Sequence, residues 1–171
     1  LGVITMVPNS LGPSELLLKY GTDEQKKEYL PKLADGTYIP CFGLTGPNNG
    51  SDATGSIDEG VVISTDEGKL VVRLNINKRY ITLGPVANLI GLAFRLKDPY
   101  DLLKSKKSGI TVALIKSDLE GLRQETHHNP LNAGFPNGTL KGDIEIPIEN
   151  VIGGEKNVGN GWKMLMECLA A

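Results

Sequence analysis

The chain of 171 residues carries 18 Lys and Arg against 20 Asp and Glu, a net charge of −2. That near balance argues against a protein that holds nucleic acid by neutralising phosphates, which needs a basic excess or stripe. Hydrophobic residues are 40% and charged residues 22%, as in an ordinary globular domain, with no apolar run near ~18 residues and no basic-then-apolar start to suggest a membrane helix or a secretory signal.

The chain reads as helical at first. Pro13 opens a short run through Tyr20, at a first-turn position where its missing N–H is harmless, and Gly21 ends it. Thr22 then caps a second helix. Gln25, three residues on, gives the capping-box spacing, and Asp23 and Glu24 put negative charge where the helix dipole favours it. Tyr29, Leu30 and Leu33 form its apolar stripe. Pro31 predicts a short or kinked helix, and Gly36 closes it.

From Thr37 to Ile152 the pattern changes to short apolar runs between Gly-rich turns. Strands are predicted over Tyr38 to Thr45, Val61 to Ser64, Lys69 to Asn75, Lys78 to Leu83, Asn88 to Lys97, Gly109 to Lys116, Leu122 to His127 and Lys141 to Ile146, with Val151-Ile152 as a candidate edge. Strands at ~8–15-residue spacing without intervening helices predict an antiparallel β-barrel or sandwich. The charged stretch Pro99 to Ser108, with Lys104, Lys106 and Lys107, reads as a solvated loop. Gly161 to Leu169 turns helical, with Trp162, Leu165, Met166 and Leu169 as its apolar face, and little chain remains to cover it. Beginning on Leu1 and stopping inside this helix, the sequence reads as a piece of a longer protein.

Cys41 and Cys168 are far apart, with no metal-ligand spacing, and read as reduced thiols of a cytosolic protein. The sequons Asn49-Gly50-Ser51 and Asn137-Gly138-Thr139 read as chance matches. His127-His128 would point to opposite faces of a strand and lack a nearby ligand partner, which favours a structural or surface role. No nucleophile elbow surrounds Ser51, which argues against a hydrolase.

Two segments stand out. Cys41 to Asp52 runs from a strand into a loop packed with Gly, Asn, Pro and hydroxyls, which could hold a phosphate or a flat polar ring through close backbone approach. On composition alone, a plain turn is the simpler reading. Asn75 to Thr82 puts Tyr80 and Thr82 on one strand face, where they could supply a wall and a hydrogen bond for a planar cofactor. A Tyr80 buried in the core is the simpler reading there.

Four stretches taken together resemble the acyl-CoA dehydrogenase family. Gly21-Thr22-Asp23-Glu24-Gln25-Lys26-Lys27-Glu28-Tyr29-Leu30-Pro31-Lys32-Leu33-Ala34-Asp35-Gly36 is similar to its helix-to-barrel entry. Leu44-Thr45-Gly46-Pro47-Asn48-Asn49-Gly50-Ser51-Asp52 is similar to its T-E-P-x-x-G-S-D flavin loop. Lys78-Arg79-Tyr80-Ile81-Thr82 is similar to its K-x-W-I-T strand, and Pro147 to Gly153 to its barrel exit. Their order fits, and the wording from Asn77 to Pro85 is nearest to the large bacterial branch that acts in fatty-acid β-oxidation.

The resemblance implies the end of an N-terminal helical domain at 1–36, a middle β-barrel domain at 37–153, and the start of a C-terminal helical bundle at 154–171. It implies FAD as cofactor, fatty acyl-CoA as substrate, and an electron-transfer acceptor as partner of the full-length enzyme. Carried over residue by residue, the FAD contacts are Phe42, Leu44, Thr45, Ser51, Tyr80, Ile81 and Thr82, with Ser51 also toward acyl-CoA. The family's catalytic base is a glutamate of the C-terminal bundle. No position here matches it, so no catalytic residue is assigned and the chain is expected to be inactive alone. Two departures stand out: Gly46 replaces the usual acidic residue, and Tyr80 the usual Trp. A cytoplasmic location is expected, with peripheral membrane attachment of the full-length protein left open. Acyl-CoA oxidases and flavin-dependent monooxygenases share the architecture, and a non-enzymatic β-barrel binding module is the other alternative. With their usual partners removed, Leu16-Leu17-Leu18 and Trp162-Leu165 are expected to drive self-association.

Overall fold

The computed structural model describes residues 12–55, 57–125 and 128–169. Helix α1 covers 12–20 and α2 covers Asp23–Ala34. Strands follow at β1 Pro40–Gly43, β2 Glu59–Ser64, β3 Leu70–Thr82, β4 Leu89–Lys97, β5 Gly109–Lys116, β6 Arg123–Glu125 and β7 Asn137–Pro147, and helix α3 spans Gly161–Leu169. The expected run of strands between helical ends is therefore present. The predicted strand over Gly109 to Lys116 forms with those bounds.

The strands form one curled, mixed sheet. β2–β3, β3–β7, β4–β5 and β6–β7 pair antiparallel, whereas β1 and β2 both run parallel to β4. The parallel pairings were not expected, because strand direction depends on where a connecting loop carries the chain. β1 lies along Leu89–Leu92 of β4 and β2 along Arg95–Lys97. The two are successive segments on a single edge, and the chain between them, 44–58, loops away from the sheet and returns.

The curl separates two cores. Inside it lie Val72, Leu74, Ile76, Ile90, Leu92, Phe94, Leu140, Ile144 and Ile146. On the outer face of β4 and β5, Leu89, Ala93, Val112 and Leu114 pack against Leu16 and Leu17 of α1 and Met164 and Leu165 of α3. β4 and β5 are covered on both faces, which explains their nearly unbroken apolar sequences. Each fully buried aliphatic or aromatic side chain contributes about 1.5–3 kcal/mol relative to exposure.

The structure corrects several expectations. The two strands predicted on either side of Ile76-Asn77 are one, β3. Its ladder with β7 runs unbroken from Val71↔Pro147 to Lys78↔Leu140 and resumes at Ile81↔Gly138. Residues 79 and 80 face a single residue of β7, so one extra residue forms a β-bulge. Helix α2 runs through Pro31 to Ala34. The proline sits in the last turn, where only one intrahelical bond is lost. Helix α3 finds its partner within the chain, since Met164 and Leu165 are buried and Met166 is 39% exposed. Its buried face is thus rotated from the predicted one, and the side chain of Leu169 lies outside the described residues. Leu16 and Leu17 are buried in the same cluster, leaving Leu18 outside. The apolar faces expected to drive self-association are therefore largely covered internally. Val151 adds a single bridge to Ala113 of β5. His127 lies outside the described residues. Among those described, no helix is long and apolar enough to cross a membrane.

Candidate functional site

Loop 44–58 and the end of β3 come together although 19 to 34 positions separate the bonded residues. Arg79 N–H donates to Thr45 O at 2.9 Å, Asn77 N–H to the Asp58 carboxylate at 3.3 Å, and the Lys78 ammonium to Leu44 O at 3.2 Å. Three consecutive residues of β3 hold the two ends of the loop. The next residue, Tyr80, is exposed.

The loop is braced internally by Asn49, which is buried. Its Oδ1 accepts from Gly46 N–H at 2.7 Å, and its Nδ2 donates to Leu44 O and Ala53 O, both at 3.3 Å. This explains the departure at Gly46. A Cβ there would lie 2.7 Å from Asn49 Oδ1 and 3.0 Å from Asn77 O. A side chain at position 46 would displace the brace. Farther on, Asp52 accepts from Thr54 N–H and Oγ1–H at 3.3 and 3.1 Å, and Arg95 of β4 donates to Thr54 O at 3.1 Å.

The bulge sets the aim of the strand. Leu74, Ile76 and Lys78 point into the curl, Arg79 and Tyr80 are both exposed, and Ile81 points in again. Tyr80 has φ +57°, a left-handed conformation unfavourable for a bulky residue. Its ring is 50% exposed, which corrects the core reading of this side chain. The ring lies 4.4 Å from the His128 ring, centroid to centroid, and the Arg79 guanidinium stands 5.0 Å over it. Thr82 pairs with Asn137 of β7. Asn137 and Thr139 are buried at 3% and 5%. Asn137 Oδ1 and Thr139 Oγ1 find no hydrogen-bond partner there, although Asn137 Nδ2 donates to Tyr80 O at 3.3 Å.

The residues assigned from the motifs divide as follows. Thr45, Tyr80 and Thr82 sit on adjoining, partly open segments, and Leu44 is half-buried at the mouth of the loop. Ser51 is exposed on the loop. Ile81 is in the core, so only its backbone faces outward. Phe42 turns toward α1: its ring fills the space a Cβ on Gly12 or Gly91 would occupy.

Three residues escaped the sequence reading: Asn49, Asp58 and Lys78. Lys78 is 0% exposed and 2.9 Å from the Asp58 carboxylate. Burial holds its ammonium below the ordinary lysine range, and Asp58 opposes that shift. The signal was present in the strand, because Lys78 continues the inward register Val72, Leu74, Ile76. A charge in an apolar register is paired in nearly every fold. Cys41 is inert by contrast, since burial pushes its thiol up to about 12. Among the described residues, no group of three or more His, Cys, Asp or Glu side chains could hold a metal.

An outward aromatic ring, neighbouring hydroxyls and unpartnered buried polar atoms fit a flat ligand with a hydrogen-bonding edge better than a metal or a bare phosphate. The chain is 31% identical over 155 residues to the short-chain-specific acyl-CoA dehydrogenase of Megasphaera elsdenii, covering 88% of this chain and 37% of that one. The chain belongs to the acyl-CoA dehydrogenase family. The family profile described as acyl-CoA dehydrogenase, N-terminal domain, matches residues 1–37. The structure superposes with a TM-score of 0.77 on a glutaryl-CoA dehydrogenase of Mycobacterium smegmatis in complex with FADH2, at 26% identity, over 99% of this chain and 40% of that one. A stretch of 80 residues is also 46% identical to Protein HemX of Proteus mirabilis, covering 46% of this chain and 47% of that protein. The chain spans less than half the length of these curated relatives. Within the acyl-CoA dehydrogenase fold, the curled sheet corresponds to the middle domain.

Proposed function

We propose that loop 44–58 and the Tyr80 bulge form the FAD-binding face of an acyl-CoA dehydrogenase acting on fatty acyl-CoA thioesters in β-oxidation. The observation that carries this reading is the bond from Arg79 N–H to Thr45 O. It joins the two motif segments into one surface that ends at an exposed aromatic ring. In this reading, residues 1–36 close an N-terminal helical domain, 37–153 are the middle domain, and 154–171 open a C-terminal bundle.

FAD supplies the hydride acceptor when bound. The residues of this chain bind and orient. The Thr45 and Thr82 hydroxyls donate hydrogen bonds to the ring's polar edge, and Tyr80 packs against its flat face in place of the family's Trp. Phe42, Leu44 and Ile81 contribute through backbone and packing at the margins. Ser51, exposed on the loop, contacts the cofactor or the acyl-CoA. The polar margin also accounts for Asn137 Oδ1 and Thr139 Oγ1, which lack partners within the chain. Abstracting the α proton requires a base, and we assign that role to none of Glu145, Glu149 and Glu167. The chain by itself is then a binding half without a proton acceptor. A separate electron-transfer acceptor would be the redox partner of the full-length enzyme.

The test is a flavin titration of the whole gene product followed by a series of acyl-CoA thioesters. Bleaching of bound flavin by fatty acyl-CoA supports the reading. A protein that takes up no FAD overturns it. Dye reduction by the isolated 171-residue chain in the presence of acyl-CoA would overturn the assignment of the base elsewhere.

A further inference from the structure

We propose that Lys78 is the positioning residue of the flavin loop: its buried ammonium ties the loop's first residue, Leu44, to its last, Asp58. The inference rests on reading this loop as a flavin contact, although the clamp itself is a property of the chain alone.

β1 and β2 occupy one edge of β4 and leave between them only the stretch Leu92–Arg95, roughly 10 Å of strand. All of loop 44–58 must depart and return across that gap. The ladder with β4 stops at Gly43 and resumes at Glu59; Asp58 O still accepts from Arg95 N–H of β4 at 2.8 Å, so the Leu44 end is the one that needs an anchor elsewhere. β3 provides it. Lys78 Nζ lies 3.2 Å from Leu44 O and 2.9 Å from Asp58 Oδ2. The backbone on either side repeats the pattern, with Asn77 N–H bonded to Asp58 and Arg79 N–H to Thr45.

Stability alone does not call for a lysine here. A buried ion pair is generally matched or surpassed by apolar residues of similar volume. What apolar residues cannot do is bond a backbone carbonyl and a carboxylate at once. An ammonium has three donors and no acceptor, and it serves both partners from one atom. Lys78 also sits two residues before Tyr80. The group that fixes the loop therefore also fixes the spacing between Thr45 and the bulge. If Lys78 were a packing residue, its stem would matter and its charge would not. If it positions the loop, its charge matters locally, and the sheet does not depend on it.

The test compares the parent with the double variant Lys78→Met/Asp58→Leu, which removes both charges and keeps an apolar, filled site. Hydrogen exchange of the 171-residue chain is measured without flavin, and FAD affinity is measured on the whole gene product. We expect sheet amides in β4 and β5 to exchange at the parent rate, amides of 45–55 to exchange about tenfold faster, and FAD to bind about tenfold more weakly, the scale of one lost hydrogen bond to a charged group. Unchanged exchange in 45–55 overturns the clamp. Faster loop exchange with unchanged FAD affinity overturns the positioning role. Faster loop exchange in a parent that binds no FAD supports the clamp and overturns the flavin reading instead. Should the double variant fail to fold, Asp58→Asn keeps the shape while removing one charge. The clamp then predicts faster exchange confined to the loop, and parent-like exchange there overturns it.

Discussion

Gln25 donates a hydrogen bond of 2.8 Å from its side-chain amide to Val151 O, across 126 positions of sequence. The same amide reaches Glu149 O at 3.0 Å, while its Oε1 accepts from Thr22 N–H at 3.1 Å and Gly153 N–H at 2.9 Å. The capping-box residue of α2 is therefore also the pin between that helix and the chain leaving β7. All four of its hydrogen-bonding positions are used, and the residue is buried. Gln25→Ala strands two carbonyls and two N–H groups at a buried junction. We expect a loss of about 2–4 kcal/mol, measured by urea unfolding, because unsatisfied buried groups cost more than the net worth of the bonds. Gln25→Glu keeps the acceptor but removes the donors, and should cost nearly as much.

Gly46 was legible from the sequence as a departure from the family pattern, but its reason was not. The reason is Asn49, which occupies the room a Cβ would need. Restoring the family's acidic residue with Gly46→Glu is expected to destabilise the chain by about 1–3 kcal/mol, as overpacking does. Gly46→Glu combined with Asn49→Gly should recover part of that loss. Thermal melts of the two variants read the difference.

Tyr80 carries a conformational cost that its position requires. Its φ of +57° is tolerated by Asn far better than by an aromatic residue. Tyr80→Asn therefore gains backbone relief while losing the ring contacts with His128 and Arg79. The two effects are each about 1 kcal/mol, so urea midpoints should barely move. On the proposed flavin reading, FAD affinity should fall nonetheless, because the exposed ring is gone. Flavin fluorescence titration beside the unfolding curve separates the two.

On the acid side, three carboxylates matter. The Glu167 carboxyl is held below its ordinary value of 4.5 by hydrogen bonds from Lys19 and Tyr20. That of Glu24 is lowered by the backbone N–H at its own position and by Thr22, and that of Asp35 by Thr37. A folded pKa lower than the unfolded one means the unfolded chain binds more protons in that window. Their contribution is present above pH about 4.5 and is lost as pH falls through the lowered folded values. Urea midpoints should therefore drop between pH 5 and the acid limit. Glu167→Gln should flatten part of that slope and lower stability at pH 7.

The two thiols should differ in reactivity. Cys41 is fully buried, with its thiol pushed up to about 12, while Cys168 is partly exposed. A thiol reagent at pH 8 should titrate Cys168 alone in the native chain and both cysteines after denaturation. Fast modification of Cys41 in the native chain would mean that β1 opens readily.

Much of the chain could be read from local pattern. The capping box of α2 is complete as predicted, because both of its bonds lie within one helical turn. The nearly continuous apolar run from Asn88 to Lys97 is that of a well-buried strand, and β4 is one. The motif segments were recognisable because their Gly, Asn and aromatic residues are rare combinations. Other features depended on contacts between distant segments. The parallel seating of β1 and β2 on one edge of β4 is set by where loop 44–58 carries the chain, and no local pattern encodes that path. The bulge that exposes Tyr80 arises from one extra residue in the pairing of β3 with β7, which exists only once both strands are aligned. Lys78 joins the inward register of Leu74 and Ile76 only once the two predicted strands are one. Its two partners, at positions 44 and 58, meet it only when the curl closes and removes water from the ammonium. Periodicity and propensity act over a few residues, so the sequence alone determined the elements and the motifs. Hydrogen bonds and charge pairs act through space, so the tertiary structure alone decided which of those elements hold loop 44–58 in place.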